Sequence, residues 1–145
     1  MMNEIKLIDL PFDIDYGAPI PIIYSTENEV KLSFYLEHKD DNTRGVIIFN
    51  GLCQYKFGYP NEEAISGHYL YKKGLYPLSF YEIKNSSWLT EIINSNKVHP
   101  YHKDSLFDDY RHFFFPMHDN SFEILAKDFR TEIIEERNKS DRLLM

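Results

Sequence analysis

Cysteine is nearly absent from this sequence, since Cys53 is the only one among 145 residues. A single thiol cannot form an intramolecular disulfide, and it offers no CxxC pair for a metal ion. Cys53 lies among strand-forming residues, where a lone cysteine is usually a small buried hydrophobic side chain rather than a nucleophile. A chain of this length can instead be stabilised by the core that it buries.

Long apolar segments and a secretion signal are also missing. No stretch approaches the roughly 20 apolar residues of a membrane-spanning helix, and the first residues contain neither a basic region nor a long apolar one. We therefore expect a cytoplasmic protein, bacterial in style, without a membrane partner.

Basic residues are scarce, and they are unevenly placed. The formal net charge is -7, and residues 1–64 hold eleven Asp or Glu against five Lys or Arg. Nonspecific binding to nucleic acids or anionic membranes needs clustered Lys and Arg. The acidic N-terminal half therefore predicts no nucleic-acid partner and would suit a basic protein. Carboxylates that only maintain solubility are the alternative.

Recognisable catalytic motifs are absent as well. The sequence contains no GxSxG, GxGxxG or HExxH pattern and no P-loop, so it predicts no nucleophile elbow, phosphate cradle or helical zinc pair. Ser86 and Ser87 lie at a predicted helix start, where a hydroxyl is explained by capping backbone N–H groups. The sequence thus favours a non-catalytic protein without a cofactor.

The sequence is rich in hydrophobic residues, which make up 43% of the chain, and in aromatic residues, at 16%. This is enough for a core and argues against disorder. Residues 30–37 alternate apolar and polar side chains as a half-buried strand does, and residues 46–49 should pair back against them. Residues 113–117 and 122–126 flank a polar turn and predict a second hairpin.

Helices are predicted between these hairpins. One should begin near Asn85 or Ser86, and Asp104 should cap a second short helix. The element order predicts the α+β class: an antiparallel β-sheet with two short helices packed on it. The globular domain should span residues 1–134, with a charged tail at residues 135–145. The strand order and the oligomeric state do not follow from the sequence.

The sequence leaves the backbone conformation undecided at two places. Asn50 and Gly51 are compatible with a tight hairpin turn or with a β-bulge, because both residues tolerate positive φ. The segment from Phe129 is compatible with a last strand or a short helix. Residues 75–83 should form a strand after a long loop at residues 58–74.

Tyrosines cluster in and around that loop. Loops of this length in compact domains are often functional, and tyrosines beside flexible glycines are typical of contact surfaces, because they add area and a hydrogen bond at little entropic cost. The predicted binding residues are Tyr59, His68, Tyr69, Tyr71 and Trp88. The alternative is that the aromatic residues fill the core while the loop covers it.

Five of the six histidines lie between residues 68 and 118, close to carboxylates. Neutral imidazoles and carboxylates are ordinary ligands of zinc and iron. The alternative function is therefore a metal-dependent enzyme or a small-ligand-binding protein that uses the histidine-rich C-terminal part. Its metal ligands would be His99, His102, His118 and Asp119. The spacing is unfavourable, because Pro100 between the first two prevents a helical ligand pair.

Short patterns in residues 45–126 resemble a set of small bacterial proteins without an established activity. They are GHxLxxxGL from Gly67, NSSW from Asn85 and HDxxFE from His118. The resemblance implies no catalytic residue. Small acidic proteins of this style include immunity proteins, which neutralise secreted toxins, so the resemblance suggests an immunity-like role. The sequence as a whole favours a non-catalytic domain that meets a protein partner through its aromatic loop and its acidic half.

Overall fold

The computed structural model describes residues 2–135 of the chain. Within them the chain forms nine β-strands, one α-helix and three 3-10 helices. The strands are, in chain order, β1 (Glu4–Ile8), β2 (Ile22–Ser25), β3 (Glu29–Tyr35), β4 (Thr43–Asn50), β5 (Gln54–Gly58), β6 (Phe80–Lys84), β7 (Arg111–Pro116), β8 (Ser121–Ala126) and β9 (Asp128–Glu135). The helix α1 spans Ser87–Asn96, and the 3-10 helices span Glu62–Gly67, Tyr71–Lys73 and Asp104–Phe107.

The strands form two antiparallel sheets, so the prediction of one sheet is wrong. One sheet has the order β1-β6-β7-β8-β5 and the other has the order β2-β3-β4-β9. Both predicted hairpins are present, as β3 with β4 and β7 with β8, but they lie in different sheets. Alternation along the chain predicts pairing between neighbouring strands, whereas β9 pairs with β4 and β5 pairs with β8 across long sequence separations.

The main core lies between the two sheets. Val30, Leu32 and Phe34 of β3 belong to the same buried cluster as Phe113 and Phe115 of β7, and all five are 0% exposed. The predicted inward face of residues 30–37 is confirmed. Because burying one such side chain contributes about 1.5–3 kcal/mol, this layer is the main source of stability.

The outer face of the five-stranded sheet carries a second, smaller apolar cluster. Strand side chains that point away from the main core pack there against three residues of the segment that joins β5 to β6. They are Tyr81, Ile83 and Phe114 on the strands and Ile65, Leu70 and Leu75 on the segment. The long segment is therefore a fixed cover on the sheet.

Helix α1 begins where the sequence predicts, because Ser86 is its N-cap. The Ser86 hydroxyl accepts a hydrogen bond from the N–H of Leu89 at 3.1 Å. The predicted second helix is only a 3-10 turn, and Asp104 does not cap it: its N-cap is Lys103, which makes no side-chain cap bond. The Asp104 carboxylate is instead 2.6 Å from Nε2 of His102.

At Asn50 and Gly51 the chain changes sheet. Asn50 ends β4 in one sheet, and β5 starts a few residues later in the other, so the dipeptide is neither a hairpin turn nor a bulge within one strand. Gly51 has φ +72°, and a Cβ on it would lie 2.7 Å from the Lys127 side chain. Both the left-handed conformation and the close approach require glycine there.

The C-terminal part of the described chain is a strand. β9 runs through Glu135, which decides between the strand and the short helix left open from Phe129. The other residues of the predicted charged tail, 136–145, lie outside the described residues, and the predicted domain extent stays a prediction. No helix within residues 2–135 is both long enough and apolar enough to cross a membrane.

Candidate functional site

Residues 59–76, which we call the tyrosine loop, cover part of the outer face of the five-stranded sheet. Four of its tyrosines are exposed rather than packed into a core. Their exposed fractions are 88% for Tyr59, 52% for Tyr69, 42% for Tyr71 and 69% for Tyr76. Three of the predicted binding residues, Tyr59, Tyr69 and Tyr71, are therefore on the surface.

The backbone beneath these tyrosines is anchored. Ile65, Leu70 and Leu75 are buried, with exposed fractions of 6%, 1% and 3%. Asn61 caps the first 3-10 helix, because its side-chain oxygen accepts a hydrogen bond from the N–H of Ala64 at 3.0 Å. The loop thus presents aromatic side chains from a backbone that the sheet already holds in place.

His68 connects the tyrosine loop to a buried polar network, which consists of Ser86, His68, His112 and Glu123. Nε2 of His68 lies 3.0 Å from one carboxylate oxygen of Glu123, and Nε2 of His112 lies 2.8 Å from the other. Nδ1 of His112 lies 2.8 Å from the Ser86 hydroxyl. The side chains of the two histidines and Glu123 are at most 8% exposed. The network therefore joins the loop, β7, β8 and the start of α1.

The direction of each hydrogen bond follows from the backbone donors at the two ends. The N–H of Leu70 donates to Nδ1 of His68 at 3.1 Å, so on a neutral ring Nε2–H donates to Glu123. The carboxylate can only accept, and His112 therefore donates from Nε2 as well. On a neutral His112 ring, Nδ1 then accepts from the Ser86 hydroxyl. In this arrangement the two imidazoles share one carboxylate.

The charges of the network agree with that assignment. Burial lowers the pKa of His112, although the hydrogen bond to Glu123 opposes the shift. Burial alone would raise the pKa of Glu123, but the hydrogen bonds from His112 and His68 outweigh it and hold the value at about 2. At neutral pH Glu123 is therefore a buried anion between two imidazoles.

Trp88 packs beside the network at the first turn of α1. Its ring makes an edge contact with His112 at 5.1 Å between centroids, and its Nε1–H donates to Oε1 of Gln54 at 2.9 Å. The Lys56 ammonium lies 4.1 Å from the centre of the ring, within cation–π range. Because Trp88 is only 5% exposed, it supports the surface more than it contributes area to it.

Two adjoining pockets lie between the tyrosine loop, β5 and α1, and together we call them the Lys56 groove. The larger has a volume of about 540 Å³, and its lining includes Lys56, Tyr59, His68, Tyr69 and Glu123. The smaller, of about 140 Å³, is lined by Lys56, Tyr69, Ser87, Trp88 and Glu91. Four of the five predicted binding residues thus line one groove, and Tyr71 is the exception.

Sequence reasoning did not select Lys56, His112 or Glu123 as site residues. The available signal was polarity on strands: within residues 111–116 and 121–126, His112 and Glu123 fall on the face opposite to the phenylalanines of the core. A buried polar residue on a covered face requires a partner. Alternation alone does not show that this second face is covered.

The predicted metal ligands divide into two places. His99 and His102 follow α1, where Nε2 of His102 is 2.6 Å from Asp104. His118 and Asp119 lie in the turn between β7 and β8, where Nδ1 of His118 is 2.6 Å from Glu62. No three His, Cys, Asp or Glu side chains of residues 2–135 are placed to hold a metal ion together. The arrangement gives the metal hypothesis no geometric support.

Comparison with known proteins gives no match: no family model, no curated protein and no solved structure is significantly similar to this chain. The resemblance drawn from short patterns therefore stays a prediction.

Proposed function

We propose that this chain is a non-catalytic protein-interaction domain that binds its partner through the tyrosine loop. The observation that carries the proposal is the combination of exposed tyrosines and an anchored backbone. Tyr59, Tyr71 and Tyr76 are 88%, 42% and 69% exposed, while His68, Leu70 and Leu75 hold the same loop on the sheet. Tyrosine is enriched at interfaces because one rigid side chain supplies both apolar area and a hydrogen bond.

The anchoring matters because ordering a flexible loop at the moment of binding opposes association. Immobilising one rotamer-rich side chain costs about 0.5–1.5 kcal/mol, and loop ordering adds to this. In the tyrosine loop much of that ordering is already present in the free chain. A preformed surface of this kind suits recognition of a folded partner.

The chemistry of the buried network supports a structural role for it. The Ser86 hydroxyl accepts from the N–H of Leu89 and donates to His112, so it is committed to the helix cap. His112 is fully buried, and the low pKa of Glu123, about 2, makes it a weak general base at neutral pH. These groups position the loop rather than activate a nucleophile.

The charge of the chain supports a basic partner. With a net charge of -7, the protein attracts positively charged proteins and repels acidic ones at long range. An immunity protein that neutralises a basic secreted toxin is one role of this kind. If that role is correct, expressing the chain will protect cells that produce the toxin encoded beside its gene, and variants of the tyrosine loop will not protect.

The direct test is capture of the partner from extracts of the native host, followed by reconstitution with the purified partner. We expect a Tyr59→Ala, Tyr71→Ala variant to lower the affinity by at least about tenfold, because central interface tyrosines often contribute 2 kcal/mol or more. Its melting temperature should stay close to that of the parent, since both side chains are exposed.

The matched control is Tyr24→Ala. Tyr24 is 40% exposed, close to the 42% of Tyr71, but it lies on β2 in the other sheet. It should leave the affinity unchanged. Equal losses in both variants, or unfolding of the Tyr59, Tyr71 variant, would reject the tyrosine loop as the interface.

A further inference from the structure

The lining of the Lys56 groove carries more acidic than basic groups, although a lysine is part of it. Two carboxylates, those of Glu91 and Glu123, line its two pockets, and Lys56 is the one cation among the described residues that line them. The Lys56 ammonium lies over the Trp88 ring at 4.1 Å, and Lys56 lines both pockets. Negative charge therefore exceeds positive charge in the groove.

Tyr69 lines both pockets, so the charges of both carboxylates act on its hydroxyl. Burial raises the pKa of its hydroxyl to about 12, and the charges of Glu123 and Glu91 add to the shift. Burial is the larger cause of the shift in this pKa, and the two carboxylates contribute a negative potential at the hydroxyl. The potential favours a cation as the occupant of the groove.

The aromatic lining favours the same kind of occupant. The Tyr69 ring is stacked on His68 at 4.6 Å with an angle of 25°, so its orientation is fixed while about half of the residue remains exposed. Tyr59, exposed by 88%, lines the same pocket. A guanidinium can stack on such rings and donate to carboxylates in the same plane. Each Glu123 oxygen accepts one imidazole N–H and retains a further lone pair.

We propose that the Lys56 groove receives an arginine side chain of the protein partner. The proposal rests on the proposed function, since it names the chemistry by which the tyrosine loop recognises that partner. The guanidinium lies between Tyr59 and Tyr69 with its charge towards Glu123 and Glu91. Lys56 lowers the affinity of the groove for this guanidinium, because its ammonium repels the incoming cation.

The test uses the ¹⁵N-labelled full chain and two short peptides, acetyl-Gly-Arg-Gly-amide and the same peptide with citrulline. Citrulline has the shape of arginine without its charge. We expect saturable shifts of the amide signals of Lys56 and residues 67–70 with the arginine peptide, and an affinity for the citrulline peptide that is about tenfold or more lower. Equal binding of both peptides, or shifts confined to other residues, would overturn the proposal.

Two substitutions should change the affinity for the arginine peptide in opposite directions. Glu91→Gln should weaken arginine-peptide binding several-fold, whereas Lys56→Met, which keeps an apolar stem over Trp88, should strengthen it about three- to tenfold. A gain of affinity cannot result from misfolding. If Lys56→Met gives no gain, the proposal fails.

The same variants separate this proposal from the proposed function. Should the partner bind through the tyrosine loop and yet be insensitive to Glu91→Gln and Lys56→Met, the interaction role stands and the arginine site is wrong. Should the arginine peptide bind as described while Tyr59→Ala, Tyr71→Ala leaves partner binding unchanged, the groove binds a guanidinium, but the partner supplies no arginine to it and the tyrosine loop is not the interface.

Discussion

The two faces of the five-stranded sheet are built on the same strands, but only the outer face combines apolar side chains with a buried polar network. On β7, Phe113 and Phe115 point into the main core, while His112 and Phe114 point outwards. On β8, Phe122 points inwards and Glu123 outwards. All six are buried. One face holds two sheets together through apolar area, and the other holds a loop and a helix through a smaller apolar cluster together with directed hydrogen bonds.

The difference shows how burial can serve specificity as well as stability. An apolar contact tolerates small shifts, whereas a network with a definite donor and acceptor at each step permits only one arrangement. Moving His68 away from Glu123 would leave a buried carboxylate with one donor fewer. The outer face therefore fixes where the tyrosine loop lies, although it adds less to the stability than the inner face does.

The largest effect expected from this comparison is on the inner face. Phe113→Ala removes a fully buried ring that contacts Phe49, Phe80 and Phe129 at centroid distances of 5.2–5.7 Å. We expect a loss of about 3–5 kcal/mol in the free energy of unfolding, measured by urea denaturation. The control is Phe57→Ala, a residue that is 44% exposed, which should lose about 1 kcal/mol or less. Similar losses in both variants would contradict the assignment of Phe113 to the core.

A smaller and more local effect is expected on the outer face. Glu123→Gln keeps the shape but replaces one accepting oxygen by a donating NH₂, so one imidazole N–H faces another donor. We expect a loss of about 1–3 kcal/mol together with faster hydrogen exchange at residues 65–75. Glu63→Gln, at an exposed position in the same loop, should change neither quantity. Exchange that accelerates evenly over the whole chain would show that the network does not specifically anchor the loop.

The inner face was largely predictable from sequence, and the outer face was not. Strict alternation at residues 30–37 and the run of phenylalanines after residue 112 show which side chains face a core, because the period of a strand is two. The same rule assigns His112 and Glu123 to an opposite face, but it treats that face as solvated. Whether a loop covers it depends on contacts across dozens of residues, such as His68 with Glu123.

The predicted binding residues stay a prediction, but the structure shows where each of them lies. Composition indicated a tyrosine-rich contact surface, and the exposure of Tyr59, Tyr69 and Tyr71 agrees with that. Trp88 was placed correctly at the start of a helix but is buried, because the cap at Ser86 turns its ring onto His112. The histidines were the weaker guide, since His68, His112 and His118 hydrogen-bond to carboxylates of other elements, which spacing along the chain does not reveal.

The smallest expected effect is the change of folding stability with pH, which should also differ between the outer and the inner face. The pKa of His112 is lowered from its ordinary value of 6.5 by burial, so near and below pH 6.5 the unfolded chain binds more protons at this position than the folded chain does. Stability should therefore fall as the pH drops from 6.5 to 5.5, by at most about 1 kcal/mol. Glu123, lowered from 4.5 to about 2, adds a further loss only as the pH falls below 4.5.

His118 must be removed from this measurement because its contribution has the opposite sign. The hydrogen bond to Glu62 raises the pKa of His118, and its contribution is present below pH 6.5 and lost as the pH rises through the folded pKa. Urea denaturation at several pH values in a His118→Gln background should show the loss in acid, and a further His112→Gln substitution should flatten the profile between pH 6.5 and 5.5. If the profile is unchanged by His112→Gln, the neutral imidazole is not what links the outer face to pH. The buried members of the inner-face cluster, within residues 2–135, carry no group that titrates in acid, so Phe113→Ala should shift the whole profile downwards without changing its slope.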